Sequence, residues 1–231
     1  MTAPFFKACK DGNIDRVAAY DSSEDVNNQH VYSYGFWTPL MIAIKEGHTE
    51  VVIILLARND IDLGVPQKKD ANTALHIACE YGNPECLKLL LKDRRITEEL
   101  INTKNYKGQT ALARCRYKKH IGLMLKHSEV ALYAEFETSD TVLHFSCLNG
   151  FAECVEFLLT DSRLTSGILN KRYKEGNTSL MEAIKYPKIV KMLLARKDLD
   201  LTVCECESVT AINMTFRIII NLLPYFLPLT L

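Results

Sequence analysis

The sequence has no excess of charge. Its 28 Lys and Arg cancel 28 Asp and Glu over 231 residues, so no global field draws it to nucleic acid or to an anionic membrane. The opening stretch, MTAPFFKACKDGNID, has no long apolar run behind basic residues, so no secretory signal is visible. Eight Cys are too few in so long a chain for a small disulfide scaffold. The expected location is therefore a reducing one, cytoplasm or nucleus, with the cysteines as thiols. Catalytic signatures are missing too. There is no Gly-rich phosphate loop ending in Lys-Ser or Lys-Thr, no His-Glu-x-x-His and no Gly-x-Ser-x-Gly. Cys204-Glu205-Cys206 offers two thiolates where zinc takes four ligands, and no Cys or His follows it. The expectation is a chain that is not an enzyme, with no catalytic residue, no metal site and no cofactor.

What the chain has is a repeat. Thr, any residue, then Leu or Ile occurs at Thr38, Thr73, Thr110, Thr141, Thr178 and Thr210, at separations of 31 to 37 residues. Other landmarks keep step: Gly47, Gly82 and Gly150 stand nine residues after Thr, and Leu55-Leu56, Leu90-Leu91 and Leu158-Leu159 follow eight residues later. A fixed period with this internal order is repeat architecture. Thr serves as an N-cap, with Pro39 suited to the first helical turn behind it. The Gly ends a short helix in the left-handed conformation. A second helix follows, apolar on more than one face in Glu50-Val51-Val52-Ile53-Ile54-Leu55-Leu56. Such a helix pair cannot cover its own surface; stacked neighbours can.

Thr38-Pro39-Leu40, Ala43, Gly47-His48, Val51-Val52 and Leu55-Leu56 in one copy, and Thr73-Ala74-Leu75-His76, Ala78 and Gly82 in the next, resemble the ankyrin repeat. The resemblance covers nearly the whole chain. It implies an all-α fold, an ankyrin-repeat solenoid of stacked helix-turn-helix units with short β-hairpin connections. A single domain over 1–231 would hold units at about 1–26, 36–62, 71–96, 108–127, 139–162 and 176–198, with a degenerate one at 208–231. The unit from Thr110 has no Gly at its turn, and that from Thr178 has Pro187 there. These two units should have tighter turns or a shortened second helix.

His76 and His144 both lie three residues after the repeat Thr, Cys79 and Cys147 six after it, and Cys86 and Cys154 thirteen after it. They recur at the period because packing recurs; a catalytic group has no reason to. The resemblance makes the histidines structural, bridging backbone and Thr hydroxyl. The cysteines read as small buried hydrophobes.

The resemblance also implies a non-catalytic module or scaffold that binds a protein partner through hairpin tips and the concave face of the first helices. Charge is uneven along the chain: residues 1–66 hold 5 basic and 9 acidic groups, 67–119 hold 12 and 6, 120–170 hold 2 and 7, and 171–200 hold 8 and 4. Lys104, Lys107, Lys171, Arg172 and Lys174 fall at hairpin tips and suit a partner with acidic or phosphorylated segments. The lengthened hairpin carries Tyr32, Tyr34, Phe36 and Trp37, which either stand out as interface anchors or fold down onto the first unit. Tyr81, Tyr117 and Tyr186 fall near the ends of first helices. All twelve are candidate partner-binding residues of a monomer, and removing the Trp37 side chain is expected to weaken binding without unfolding the chain. The alternative reading is a membrane-associated adaptor, or a fragment of a larger membrane protein, that uses the apolar residues 216–231.

Overall fold

The computed structural model describes residues 4–20, 26–32, 35–81, 83–127, 130–132, 141–172 and 176–201. The chain divides into two compact units, residues 1–131 and 132–231. Residues 216–231, Cys204 and Cys206, and the degenerate repeat at 208–231 lie outside the described residues. Among the described residues no helix is long and apolar enough to cross a membrane.

In the first unit the repeat Thr caps as its chemistry requires. Thr38 has extended backbone, and its hydroxyl accepts from the Met41 amide at the start of α3 (Pro39–Glu46), with Pro39 in the first turn. Gly47 ends α3 at φ 81°, a left-handed conformation that a Cβ would strain, and the chain turns there into α4 (Thr49–Leu56). The same pairing gives α1 (Pro4–Lys10) with α2 (Ile14–Ala18), and α5 (Ala74–Tyr81) with α6 (Pro84–Lys92). First helices α1, α3 and α5 lie side by side in one layer, and second helices α2, α4 and α6 in another, with α8 (Lys118–Met124) packed on α6. Between the layers Phe6, Ile42, Val52, Leu55, Leu87, Leu90 and Ile121 are all fully buried. Each contributes on the order of 1.5–3 kcal/mol through removal from water.

The two irregular repeats lose their residues from the first helix. In the fourth, Leu112–Arg114 forms a single 3₁₀ turn before α8. In the second unit, α9 (Val142–Leu148) and α10 (Ala152–Thr160) form a regular pair. The sixth repeat then has only α12 (Ser179–Glu182) and a 3₁₀ turn, Ala183–Lys185, before α13 (Pro187–Leu194), which keeps 8 residues. The turn tightens and the second helix survives, burying Ile121 and Met124 in the fourth repeat and Ile189, Val190 and Leu193 in the sixth.

Strand pairing among the described residues is confined to β1 (His30–Tyr32) and β2 (Gly35–Trp37), with His30 opposite Trp37 and Val31 opposite Phe36. Other connections are joined through side-chain amides. Asn27 donates to the Asp60 carbonyl and accepts from the Asp62 amide, and Gln29 does the same with Pro66 and Lys68. Asn170 repeats the pattern at Asp198 and Asp200. Short helices α7 (Glu98–Ile101) and α11 (Ser166–Leu169) complete the connections, each capped by a Thr hydroxyl.

A further brace is built from arginine. The Arg95 guanidinium is held by Asp93 at 2.6 Å and donates to the Leu56, Arg58 and Ile61 carbonyls of the preceding repeat at 2.8, 3.0 and 3.1 Å. Arg196, held by Asp198, reaches the Leu159 carbonyl at 2.9 Å in the second unit. Replacing Arg95 by Ala leaves three carbonyls to water and should cost about 1–3 kcal/mol in urea titrations. Arg95→Lys should rescue little, since one ammonium cannot span three acceptors. A wild-type midpoint for Arg95→Ala would remove the brace from the account of stability.

Candidate functional site

The histidines and cysteines of the repeat are structural. The Gln109 carbonyl can only accept, so Nε2 of His76 carries the proton that it donates there, at 2.9 Å. Nδ1 is then the acceptor, taking the Thr73 amide at 3.2 Å and lying 2.9 Å from the Thr73 hydroxyl. His144 makes the same bonds with the Lys171 carbonyl and the Thr141 hydroxyl, both at 2.9 Å. Burial pushes both imidazoles down to about 4, so both are neutral near pH 7.

Cys9, Cys79, Cys86, Cys115, Cys147 and Cys154 are buried, with no disulfide among them. Burial pushes the Cys9 and Cys154 thiols up to about 12 and raises those of Cys86 and Cys147. A thiol so seldom ionised and so enclosed is inert. These six should label with a thiol reagent only after denaturation; fast labelling of any of them in the folded protein would contradict their placement.

The first unit gathers several of the candidate binding residues into one cluster. The Lys45 ammonium, from the last turn of α3, sits over the rings of Trp37, Tyr32 and Tyr81 at 4.6, 5.4 and 5.6 Å. Lys10 covers Tyr32 as well, at 4.8 Å, and Trp37 meets Tyr81 edge-on at 6.1 Å. Tyr81 remains 44% exposed and Tyr117 53%. Phe36 is half-buried with Lys68 at 5.7 Å from its ring, and Lys104 and Lys107 are exposed on the next connection. Tyr34 lies outside the described residues.

Trp37 is only 5% exposed, which corrects the expectation that its side chain could be removed without harm to the fold. Its indole N–H donates to the Tyr32 carbonyl at 2.9 Å, and Gly35 lies flat against the ring. A Cβ on Gly35 would meet the indole nitrogen. The Trp side of the hairpin therefore folds inward.

Beside this cluster opens a recess of about 170 Å³, walled by Trp37, Tyr81 and Ile77 and carrying Lys69, Asp70, Glu80 and Arg114. The Glu80 carboxylate is in ion pairs with Arg114 and, at 3.6 Å, with Arg116. Arg114 also donates to the Gln109 side chain at 3.2 Å. Of these residues, Lys45, Lys69, Asp70, Ile77, Glu80, Arg114 and Arg116 are not among the candidates that the sequence singles out. The signal for two of them was present, since Lys45 and Glu80 occupy the position seven residues after Thr, as Tyr117 does.

In the second unit Lys171 is half-buried, Arg172 is exposed, and Tyr186 is half-buried with its ring against Gly150. Lys174 lies outside the described residues. Leu148, seven residues after Thr141, is 50% exposed.

Paired helices in two layers, Thr caps at Thr38, Thr141 and Thr178, and His76 and His144 bridging to the next connection define a helical repeat protein. The family Ankyrin repeats matches in three copies, over residues 5–99, 67–130 and 120–203, and the chain belongs to it. The fold is thus of the all-α ankyrin-repeat solenoid class, and ankyrin repeats are generally non-catalytic modules for protein–protein interaction. Among curated relatives, the E3 ubiquitin-protein ligase XBAT33 of Arabidopsis thaliana is 30% identical over 161 residues, 69% of this chain and 29% of that protein. Ankyrin repeat and SOCS box protein 11 of Homo sapiens is 45% identical over 56 residues, 24% of this chain and 16% of that protein. Transient receptor potential cation channel subfamily A member 1 of Homo sapiens is 35% identical over 65 residues, 28% of this chain and 6% of that protein. The chain thus spans less than a third of the length of each of these relatives.

Proposed function

We propose that this chain is a non-catalytic interaction module of the cytoplasm or nucleus, acting as a monomer, that binds a protein partner through the connecting tips and the exposed ends of its first helices. The observation that carries the reading is half-exposed Tyr81 on the wall of a recess framed by aromatic and charged groups, with Tyr117 half-exposed in the next repeat. Aromatic rings with one face anchored and the other wet are favoured interface residues. Lys104, Lys107 and Arg172 stand exposed at the tips, where charge speeds encounter with an acidic or phosphorylated partner. The likeness lies in the repeats, so the activities that the relatives' names state are not carried over to this chain.

The reading is tested with affinity-captured partners of the full chain. Tyr81→Ala combined with Tyr117→Ala should weaken a true partner about tenfold or more. Ile53→Ser, on a half-exposed outer-layer side chain of α4, should leave the same partner bound. Reversing Lys104 and Lys107 to Glu should slow association, by a factor that shrinks as salt rises. A partner indifferent to the tyrosine pair but lost with Ile53→Ser would place the interface on the outer layer.

A further inference from the structure

The recess beside Trp37 discriminates between kinds of partner, and its chemistry can be read. We propose that it receives a glutamate side chain from an extended acidic segment of the partner, with Lys69 and Arg114 holding the carboxylate; this rests on the protein-binding reading above. Its volume of about 170 Å³ suits one side chain rather than a helix or a strand. Ile77, Trp37 and Tyr81 offer apolar wall for methylene groups.

Charge decides what stands at the end of those methylenes. A cation is refused, because the ring faces of Trp37 and Tyr81 that would attract it are already covered by the Lys45 ammonium. Within the recess Lys69 and Arg114 balance Asp70 and Glu80, and Arg116 adds a second cation on Glu80. That surplus suits a single negative charge. A phosphate, with nearly two charges at neutral pH, would be driven against Asp70 and Glu80. Arg114 also has a donor to spare: Nε is buried and makes no hydrogen bond, while its other nitrogens serve Glu80 and Gln109. A buried donor without an acceptor costs free energy that a ligand oxygen would recover. Apart from Gly35 and Trp37, the residues lining the recess come from the strongly basic stretch 67–119, which extends the attraction to neighbouring acidic residues of the same segment.

Trp37 is the one tryptophan of the chain, so its emission reports on this recess directly. The full chain is titrated with blocked hexaglutamate, and in parallel with hexaglutamine, hexalysine, a phosphoserine hexapeptide and a single-stranded oligonucleotide of equal length. Hexaglutamate should give a saturable change that weakens several-fold between about 50 and 200 mM salt. Lys69→Gln, at an exposed residue, should weaken it about fivefold or more with the fold intact, and Glu80→Gln should tighten it by removing a competing carboxylate. Equal response to hexaglutamine or hexalysine, preference for the phosphopeptide or oligonucleotide, no saturation with hexaglutamate, or indifference to Lys69→Gln would each overturn the assignment. A captured partner that depends on Tyr81 and Tyr117 but is not displaced by hexaglutamate would leave the protein-binding face standing and overturn the carboxylate site alone.

Discussion

Lowering the pH from 7 to 4 should strip the protein of several kcal/mol of stability, with His76 and His144 responsible for most of the loss. Both rings are buried as the neutral form with the proton on Nε2, which the Gln109 and Lys171 carbonyls accept. A second proton would have to sit on Nδ1, which in His76 faces the Thr73 amide N–H, a donor against a donor. Burial is the larger cause, and it holds both groups at about 4 against an ordinary 6.5. The unfolded chain therefore takes up protons below about 6.5 that the folded protein refuses until about 4. Stability is complete above the upper value and declines as the pH falls to the lower, by roughly 3 kcal/mol per histidine. Burial depresses His120 in the same direction. The carboxylates Asp60, Asp93, Asp161 and Asp198, held below their ordinary 3.8 by neighbouring arginines, lose their contribution only in more acid solution. The two windows are thus separable. Urea midpoints taken at intervals from pH 7 to 4 read the histidine window, and His76→Met should flatten part of it. Met is the natural test residue, since Met41 and Met181 occupy this position in other repeats. A midpoint that stays level down to pH 4.5 would mean that the rings accept protons in place.

The parts of the fold visible in the sequence are those that the period carries. Thr38, Thr141 and Thr178 cap first helices, His76 and His144 bridge, and Cys79 and Cys147 are buried, because each recurs at a position whose surroundings recur. The Arg95 brace was not visible. Its acceptors are backbone carbonyls of Leu56, Arg58 and Ile61, which every residue possesses, so the receiving end leaves no mark in the sequence. The placement of Lys45 among Tyr32, Trp37 and Tyr81 escaped for a related reason. Two of those rings come from the hairpin and the third from α5, and only the stacking of α3 against α5 brings them to one ammonium. The candidate site was legible as residue types at tips and helix ends, whereas the recess depends on Glu80 and Arg114 meeting across repeats.

Trp37→Ala should destabilise the first unit by about 3–5 kcal/mol, the range for a large aromatic side chain removed from a core. The indole is 5% exposed, and its N–H bond to the Tyr32 carbonyl closes the hairpin across the paired residues His30 to Trp37. Its loss leaves a cavity over Gly35, an acceptor without its donor, and Lys45 and Tyr81 without the ring between them. Trp37→Phe keeps much of the packing and loses the N–H, so about 1 kcal/mol or slightly more is expected for the bond itself. Because the variants lack the fluorophore, urea unfolding should be followed by far-ultraviolet circular dichroism. A midpoint for Trp37→Ala equal to that of the wild type would show that the hairpin stands without its anchor. The expected loss has a consequence for binding measurements. Reduced partner binding by Trp37→Ala would report the fraction of folded protein as much as any contact, whereas Tyr81, held on α5 by its backbone and half-exposed, can be truncated with the fold intact. Tyr81→Ala is therefore the variant that separates recognition from folding on this face.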